Sequence, residues 1–121
     1  MAGENVERLA DQILEFRPKI AIVATETARE RLTDRLSERG LDRAQWPELL
    51  HGPAARVHAA TDREVDFVLS AIVGVAGLEA TYEAVRLGKR VGLANKEVLV
   101  ASGKLVTEAA AKAGTEIIPV D

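Results

Sequence analysis

The chain has 121 residues, 47% of them hydrophobic and 29% charged, with a net charge of −3 and no cysteine. That length supports one domain with a modest core, the acidic balance gives no basic footprint for nucleic acid, and the lack of cysteine excludes disulfides and thiolate metal sites. Aromatics are only 3%, so Ala, Val, Leu and Ile must fill the interior, which suits helices packed on a parallel sheet. No charged-then-apolar leader opens the chain and no apolar run reaches membrane-spanning length, so a soluble cytoplasmic protein with no membrane partner is expected.

Met1 to Asn5 is too short to be an element and reads as the tail of a loop. Val6, Leu9, Ala10, Ile13 and Leu14 then mark one face of a helix running to Phe16. Asn5 is placed to cap it, and Pro18 closes it. Ile20 to Ala24 is a continuous apolar run, as expected of a strand buried on both faces. Thr27 with Glu30 has capping-box spacing, and Ala28, Leu32 and Leu36 line the helix that follows, with Gly40 just past its end. The opposite face, with Glu30, Arg31, Arg35, Glu38 and Arg39, reads as solvated.

Trp46-Pro47 interrupts any helix, Glu48 to Gly52 reads as a short strand, and Pro53 to Ala60 as a short helix or loop. His51 and His58 lie seven apart without a third ligand nearby in sequence, which favours ordinary surface histidines over a metal pair. Trp46 reads as a packing residue. Thr61 and Glu64 repeat the capping-box spacing and predict a short turn. Asp66 to Val73 is the strongest strand signal; Gly74-Val75-Ala76-Gly77 and a helix from Leu78 to Leu87 follow, with a stop at Gly88. Small residues between strand and helix let a ligand approach the backbone, or simply allow tight packing.

Arg90 to Ala94 predicts a further strand, leading into a helix over Lys96–Ala113 that Ser102-Gly103 could kink and Gly114 ends. Asn95, Lys96 and Glu97 fall where that strand gives way to that helix. In an open parallel sheet this is where ligands bind, beside free N–H donors and the positive end of the helix dipole. The same residues also fit a helix cap and a solvated first turn. Thr115 to Val120 is the last strand, and Asp121 stands at its carboxyl end. Right-handed crossovers between these strands would build a parallel sheet covered on both faces. The pattern starts with a helix and stops on a bare strand, and no phosphate-binding glycine fingerprint follows the first strand, so both ends look cut.

The wording of three segments is more specific than their periodicity. Ala71-Ile72-Val73-Gly74-Val75-Ala76-Gly77-Leu78, Leu93-Ala94-Asn95-Lys96-Glu97-Val98-Leu99-Val100 and Ile118-Pro119-Val120-Asp121 occur in order and at short spacing. Together they resemble the 1-deoxy-D-xylulose 5-phosphate reductoisomerase family, and Ala2-Gly3-Glu4-Asn5-Val6 resembles that family's turn after its second strand. The resemblance implies an incomplete Rossmann-like, three-layer α/β fold with a mainly parallel sheet. It makes residues 1–121 the central and C-terminal part of an NADPH-binding domain, without the first glycine-loop unit or the catalytic and C-terminal domains.

It further implies that the Gly3, Glu4, Asn5, Asn95 and Glu97 positions contact NADPH and that Lys96 binds the sugar phosphate substrate. Asp121 becomes one ligand of a divalent metal, manganese or magnesium. In that family the product is 2-C-methyl-D-erythritol 4-phosphate, on the methylerythritol phosphate route to isoprenoids, and the full-length enzyme is expected to be a homodimer. Glu4 departs from the basic or small residue frequent there, and Val98 from a common serine. Two other readings share features with the chain: a homoserine dehydrogenase-like enzyme, whose turn also carries Ala-Asn-Lys, and a non-catalytic interaction domain that would pair through its end strands.

Overall fold

The structure is a computed structural model that describes residues 5–120. Contacts divide the chain into two compact units, residues 1–56 and 57–121. The strands hydrogen-bond in two separate parallel sheets, one of two strands and one of three, rather than in the single sheet the pattern predicts.

In the first unit, α1 (Val6–Phe16) buries Val6, Leu9, Ala10 and Ile13, the predicted face. Asn5 caps it as expected, its side-chain oxygen accepting the Arg8 N–H at 3.1 Å. The helix ends at Arg17, which takes a left-handed φ of 48° and donates its N–H to the Ile13 carbonyl. Pro18 then prevents continuation. β1 (Ile20–Val23) follows, and α2 (Glu26–Glu38) buries Ala28, Leu32 and Leu36. The α2 cap is Thr25, not Thr27: Thr25 Oγ1 accepts the Ala28 N–H at 3.1 Å. The chain turns two residues after the strand ends, so Thr25 is the last extended residue with an acceptor, and Thr27 and Glu30 fall inside the helix.

Arg43–Gln45 form a 3₁₀ turn and β2 (Glu48–His51) pairs in parallel with β1, Ile20 opposite Glu48 and Val23 opposite His51. Trp46 packs against the core as predicted, donates its indole N–H to the Leu41 carbonyl at 2.9 Å and carries the Arg43 guanidinium over its ring. The face of α2 read as solvated does more than meet water. Arg35 pairs with Glu7 and Glu38, and Arg39 with Asp11 and Glu7, tying α2 to α1. The bond to Glu38 raises the Arg35 pKa and the bond to Asp11 raises that of Arg39. Folding therefore favours their charged forms while the carboxylate partners are ionised, a contribution present at neutral pH and lost on the alkaline side only as the guanidinium groups deprotonate.

α3 (Gly52–Ala60) leads into the second unit, where Val57 and Ala60 join the core. The short turn that the Thr61–Glu64 spacing predicts is present, closed by the Val65 N–H on the Asp62 carbonyl at 3.0 Å, but Thr61 does not cap it. Its hydroxyl donates to the Val57 carbonyl at 2.7 Å and closes α3, while Asp62 accepts the Glu64 N–H. The elements that follow are β3 (Phe67–Ser70), α4 (Leu78–Arg86), β4 (Arg90–Leu93), α5 (Lys96–Ala113) and β5 (Ile117–Pro119). The sheet order is β3-β4-β5, all parallel, with Val91 opposite both Val68 and Ile117. Ala80, Ala84 and Val85 of α4 pack with Val98, Val106, Ala109 and Ala110 of α5 over Val91 and Leu93. The predicted kink in α5 is real: Ser102 leaves helical geometry at φ −151°, and Gly114 ends the helix.

β3 is shorter than its apolar run, because Ala71-Ile72-Val73 leave the ladder. Its side chains alternate, as the two-residue strand period demands: Val68 and Ser70 face the helices, whereas Phe67 and Leu69 remain 44% and 58% exposed. Coverage of both faces is thus not met for this sheet. Phe67 lies across Gly92, where any Cβ would come within 2.8 Å of the ring.

Leu32 is fully buried between α2 and its partners. Leu32→Ala is expected to cost about 2–5 kcal/mol through lost transfer energy and a cavity. Urea unfolding followed by the fluorescence of Trp46, the chain's one tryptophan, checks this, since Trp46 packs on the same cluster.

Candidate functional site

The carboxyl ends of β3, β4 and β5 border an open cleft of about 770 Å³. Its lining includes Ala71 and Val73 after β3, Ala94 to Glu97 after β4, and Pro119 and Val120 at the end of β5. The volume is within the usual range for small-molecule sites. The walls are largely aliphatic, with one ammonium and one carboxylate. Lys96 is exposed and makes no ion pair among the described residues, leaving three donors to meet a ligand. Glu97 is half-buried in the first turn of α5, where the helix dipole favours a negative group.

Asn95 is different from its neighbours. It is only 5% exposed, and every part of its amide is engaged. Its oxygen accepts the Glu97 N–H at 2.9 Å, so it caps α5 as the sequence suggested. Its nitrogen donates to the carbonyls of Ile72 and Gly74, the latter at 2.7 Å. Gly74 holds φ +75°, a left-handed conformation that L side chains rarely adopt, and that turn presents its carbonyl to Asn95.

Two more buried polar groups act on the same segment, and the sequence reading singled out neither. Ser70 and Thr81 hydroxyls lie 2.7 Å apart, 5% and 2% exposed. Thr81 Oγ1 donates to the Gly77 carbonyl at 2.8 Å, so Ser70 is the donor to Thr81. A hydroxyl inside the apolar Phe67–Val73 run, and a Thr four residues after Gly77, were the signals available. Lys89 anchors the turn before β3 in a similar way, donating to the carbonyls of Asp62 and Val65 at 2.5 Å each.

The structure therefore gathers Asn95, Lys96 and Glu97 at one cleft, as predicted. Asn5 belongs to the first unit, at the head of α1. Gly3, Glu4 and Asp121 lie outside the described residues. His51 and His58 are both exposed, and no group of three or more metal-binding side chains occurs among the described residues. No helix among those residues is long and apolar enough to cross a membrane.

Residues 1–103 match the family model of 1-deoxy-D-xylulose 5-phosphate reductoisomerase. Reductoisomerases of that name from Solibacter usitatus and Laribacter hongkongensis are 63% and 48% identical over 121 and 117 residues, 100% and 97% of this chain. The chain spans about 30% of the length of these curated relatives. Among solved structures, a DOX-P reductoisomerase in complex with NADPH, fosmidomycin and magnesium superposes with a TM-score of 0.85 at 36% identity, covering 98% of this chain and 28% of that one. The Zymomonas mobilis reductoisomerase in complex with NADPH gives 0.85 at 37% identity, over 100% of this chain and 31% of that one.

The hydroxyl pair makes a quantitative prediction. Thr81→Val leaves the buried Ser70 hydroxyl without its acceptor and should cost about 1–3 kcal/mol. Adding Ser70→Ala removes the orphan, so the double variant should be no less stable than Thr81→Val alone. Thermal unfolding followed by circular dichroism compares the two.

Proposed function

The chain belongs to the 1-deoxy-D-xylulose 5-phosphate reductoisomerase family, and from that premise we propose that it forms part of the NADPH-binding domain of such an enzyme. The enzyme would isomerise 1-deoxy-D-xylulose 5-phosphate and reduce the product to 2-C-methyl-D-erythritol 4-phosphate. The observation that carries the reading is the cleft at the carboxyl ends of β3–β5, with the exposed Lys96, which makes no ion pair among the described residues, at the start of an 18-residue helix. The family match disfavours the homoserine dehydrogenase-like and interaction-domain readings.

In this reading Lys96 binds the sugar phosphate. Its ammonium is a mobile point charge on a flexible stem, suited to oxygens that shift during isomerisation. Glu97 and Asn95, with Gly3, Glu4 and Asn5, contribute to the cofactor site. Val73, Leu93 and Leu99 offer a flat ring an aliphatic surface to lie on. NADPH, when bound, supplies the hydride; the chain's own residues bind and orient. Asp121 would be one oxygen ligand of the manganese or magnesium ion. A divalent cation needs several such ligands, and the described residues contain no group of three or more side chains able to hold one. The whole enzyme is proposed to be a cytoplasmic homodimer, and the 121-residue chain by itself to be inactive.

A segment exchange tests the reading. Residues 1–121 replace the matching segment of the Solibacter usitatus relative, and turnover of 1-deoxy-D-xylulose 5-phosphate is followed by NADPH absorbance. Turnover should persist, and Lys96→Ala should lower kcat/KM about 10- to 100-fold, the loss of one charge-assisted hydrogen bond or two. A folded exchange protein without activity, or a Lys96→Ala variant as active as its parent, overturns the assignment. So does turnover by the isolated chain, for the inactivity of the fragment.

A further inference from the structure

The three buried polar side chains among the described residues, Ser70, Thr81 and Asn95, act on one segment, Ala71–Gly77. Ser70 stands at its entrance, Thr81 bonds the carbonyl at its exit, and Asn95 bonds the carbonyls of Ile72 and Gly74 in between. The rest of the buried side chains are aliphatic. A core made almost wholly of aliphatic groups sets no fixed backbone path for a turn. Directed hydrogen bonds do, and their satisfaction in a low-dielectric interior makes alternatives costly.

We infer that Asn95 is a positioning residue whose amide joins the Ala71–Gly77 turn to the first turn of α5 and so fixes the two stretches that line the cleft. Its nitrogen holds Ile72 and Gly74; its oxygen holds Glu97 N–H, one residue past Lys96. Val73 lies between the two held carbonyls and is 84% exposed, its side chain turned toward solvent beside the cleft it lines. The amide is spent on the protein backbone, so Asn95 acts on a ligand through Val73, Lys96 and Glu97 rather than through its own side-chain donors. The consequence for ligands rests on the function proposed above; the link between the two turns does not.

Three variants separate its roles. Asn95→Asp keeps an acceptor for Glu97 N–H and loses both donors to the turn. Asn95→Ser also keeps a capping oxygen, is too short to reach the carbonyls, and serves if the aspartate variant does not fold. Asn95→Ala loses everything. Amide hydrogen exchange on the 121-residue chain is read at Leu78, whose N–H is held by the Val75 carbonyl of the turn at 3.0 Å, at Glu97 and at Val91 and Leu93 of β4. In Asn95→Asp or Asn95→Ser, exchange at Leu78 should rise about tenfold or more, because the turn has lost the two hydrogen bonds that hold it, while Glu97 and β4 keep their protection. In Asn95→Ala, Glu97 should loosen as well. Unchanged exchange at Leu78, or exchange that rises equally in β4, overturns the inference.

In the exchange protein described above, Asn95→Ser should raise KM for the sugar phosphate about tenfold with a smaller change in kcat. A loosened turn with KM unmoved overturns the positioning role. An inactive parent would instead count against the proposed function, and the exchange pattern would still decide the link between the turns.

Discussion

A primary amide shut away from water must find partners for its oxygen and both its donors, or the domain bears the cost of desolvating it. Asn95 meets that requirement entirely with backbone, and the backbone it uses belongs to two consecutive strand-to-helix turns. Adjacent parallel strands place such turns side by side, so β3 and β4 make the bridge geometrically available. Much of the second unit's upper edge depends on it. Gly74 takes its left-handed turn where the amide collects its carbonyl, β3 leaves the ladder after Ser70 so that Ile72 can reach the same group, and α5 starts where the amide oxygen ends the strand.

The first unit is held by different means. Its core is a cluster of aliphatic side chains from α1, β1 and α2, with Leu14, Trp46 and Leu49 at the margin. Its polar links lie outside that core, where Arg35 and Arg39 reach across to Glu7 and Asp11 on α1. Solvent-exposed pairs of this kind are screened by salt and add little singly, so they orient α2 on α1 more than they stabilise it. The second unit reverses the arrangement, with its directional bonds inside and beside the cleft. Function is expected where buried polar bonds concentrate, since these set positions that aliphatic packing leaves loose.

The chemistry suggested for the cleft follows from that rigidity. Lys96 has an exposed ammonium on a long stem, with no ion pair among the described residues, but its backbone is set by the residue before it, capping, and by the residue after it, capped. A mobile charge on a fixed base can follow the oxygens of a small anionic substrate without losing its place. The ligands proposed above come from the family relationship, and the geometry gives the reason why these side chains would suit them.

Much of this was legible in the residues. The apolar face of α1, the Asn5 and Asn95 caps, the strand over residues 90–93, the Ser102 kink and the Gly40, Gly88 and Gly114 stops all arise from interactions within about one helical turn, and short-range chemistry is written in short-range sequence. The three segments that carry the family resemblance are legible for the same reason, since each is a contiguous turn. What the sequence left open was every choice of partner at a distance. Thr25 or Thr27 as the cap depended on where β1 ended; the end of β3 depended on Asn95, 23 and 21 residues away from the two carbonyls it holds. Two sheets instead of one, the open face at Phe67 and Leu69, and the pairing of Ser70 with Thr81 were likewise decided only in the folded chain. Periodicity states which side chains avoid water, but a hydrogen bond needs a donor and an acceptor brought together in space, and only tertiary structure does that.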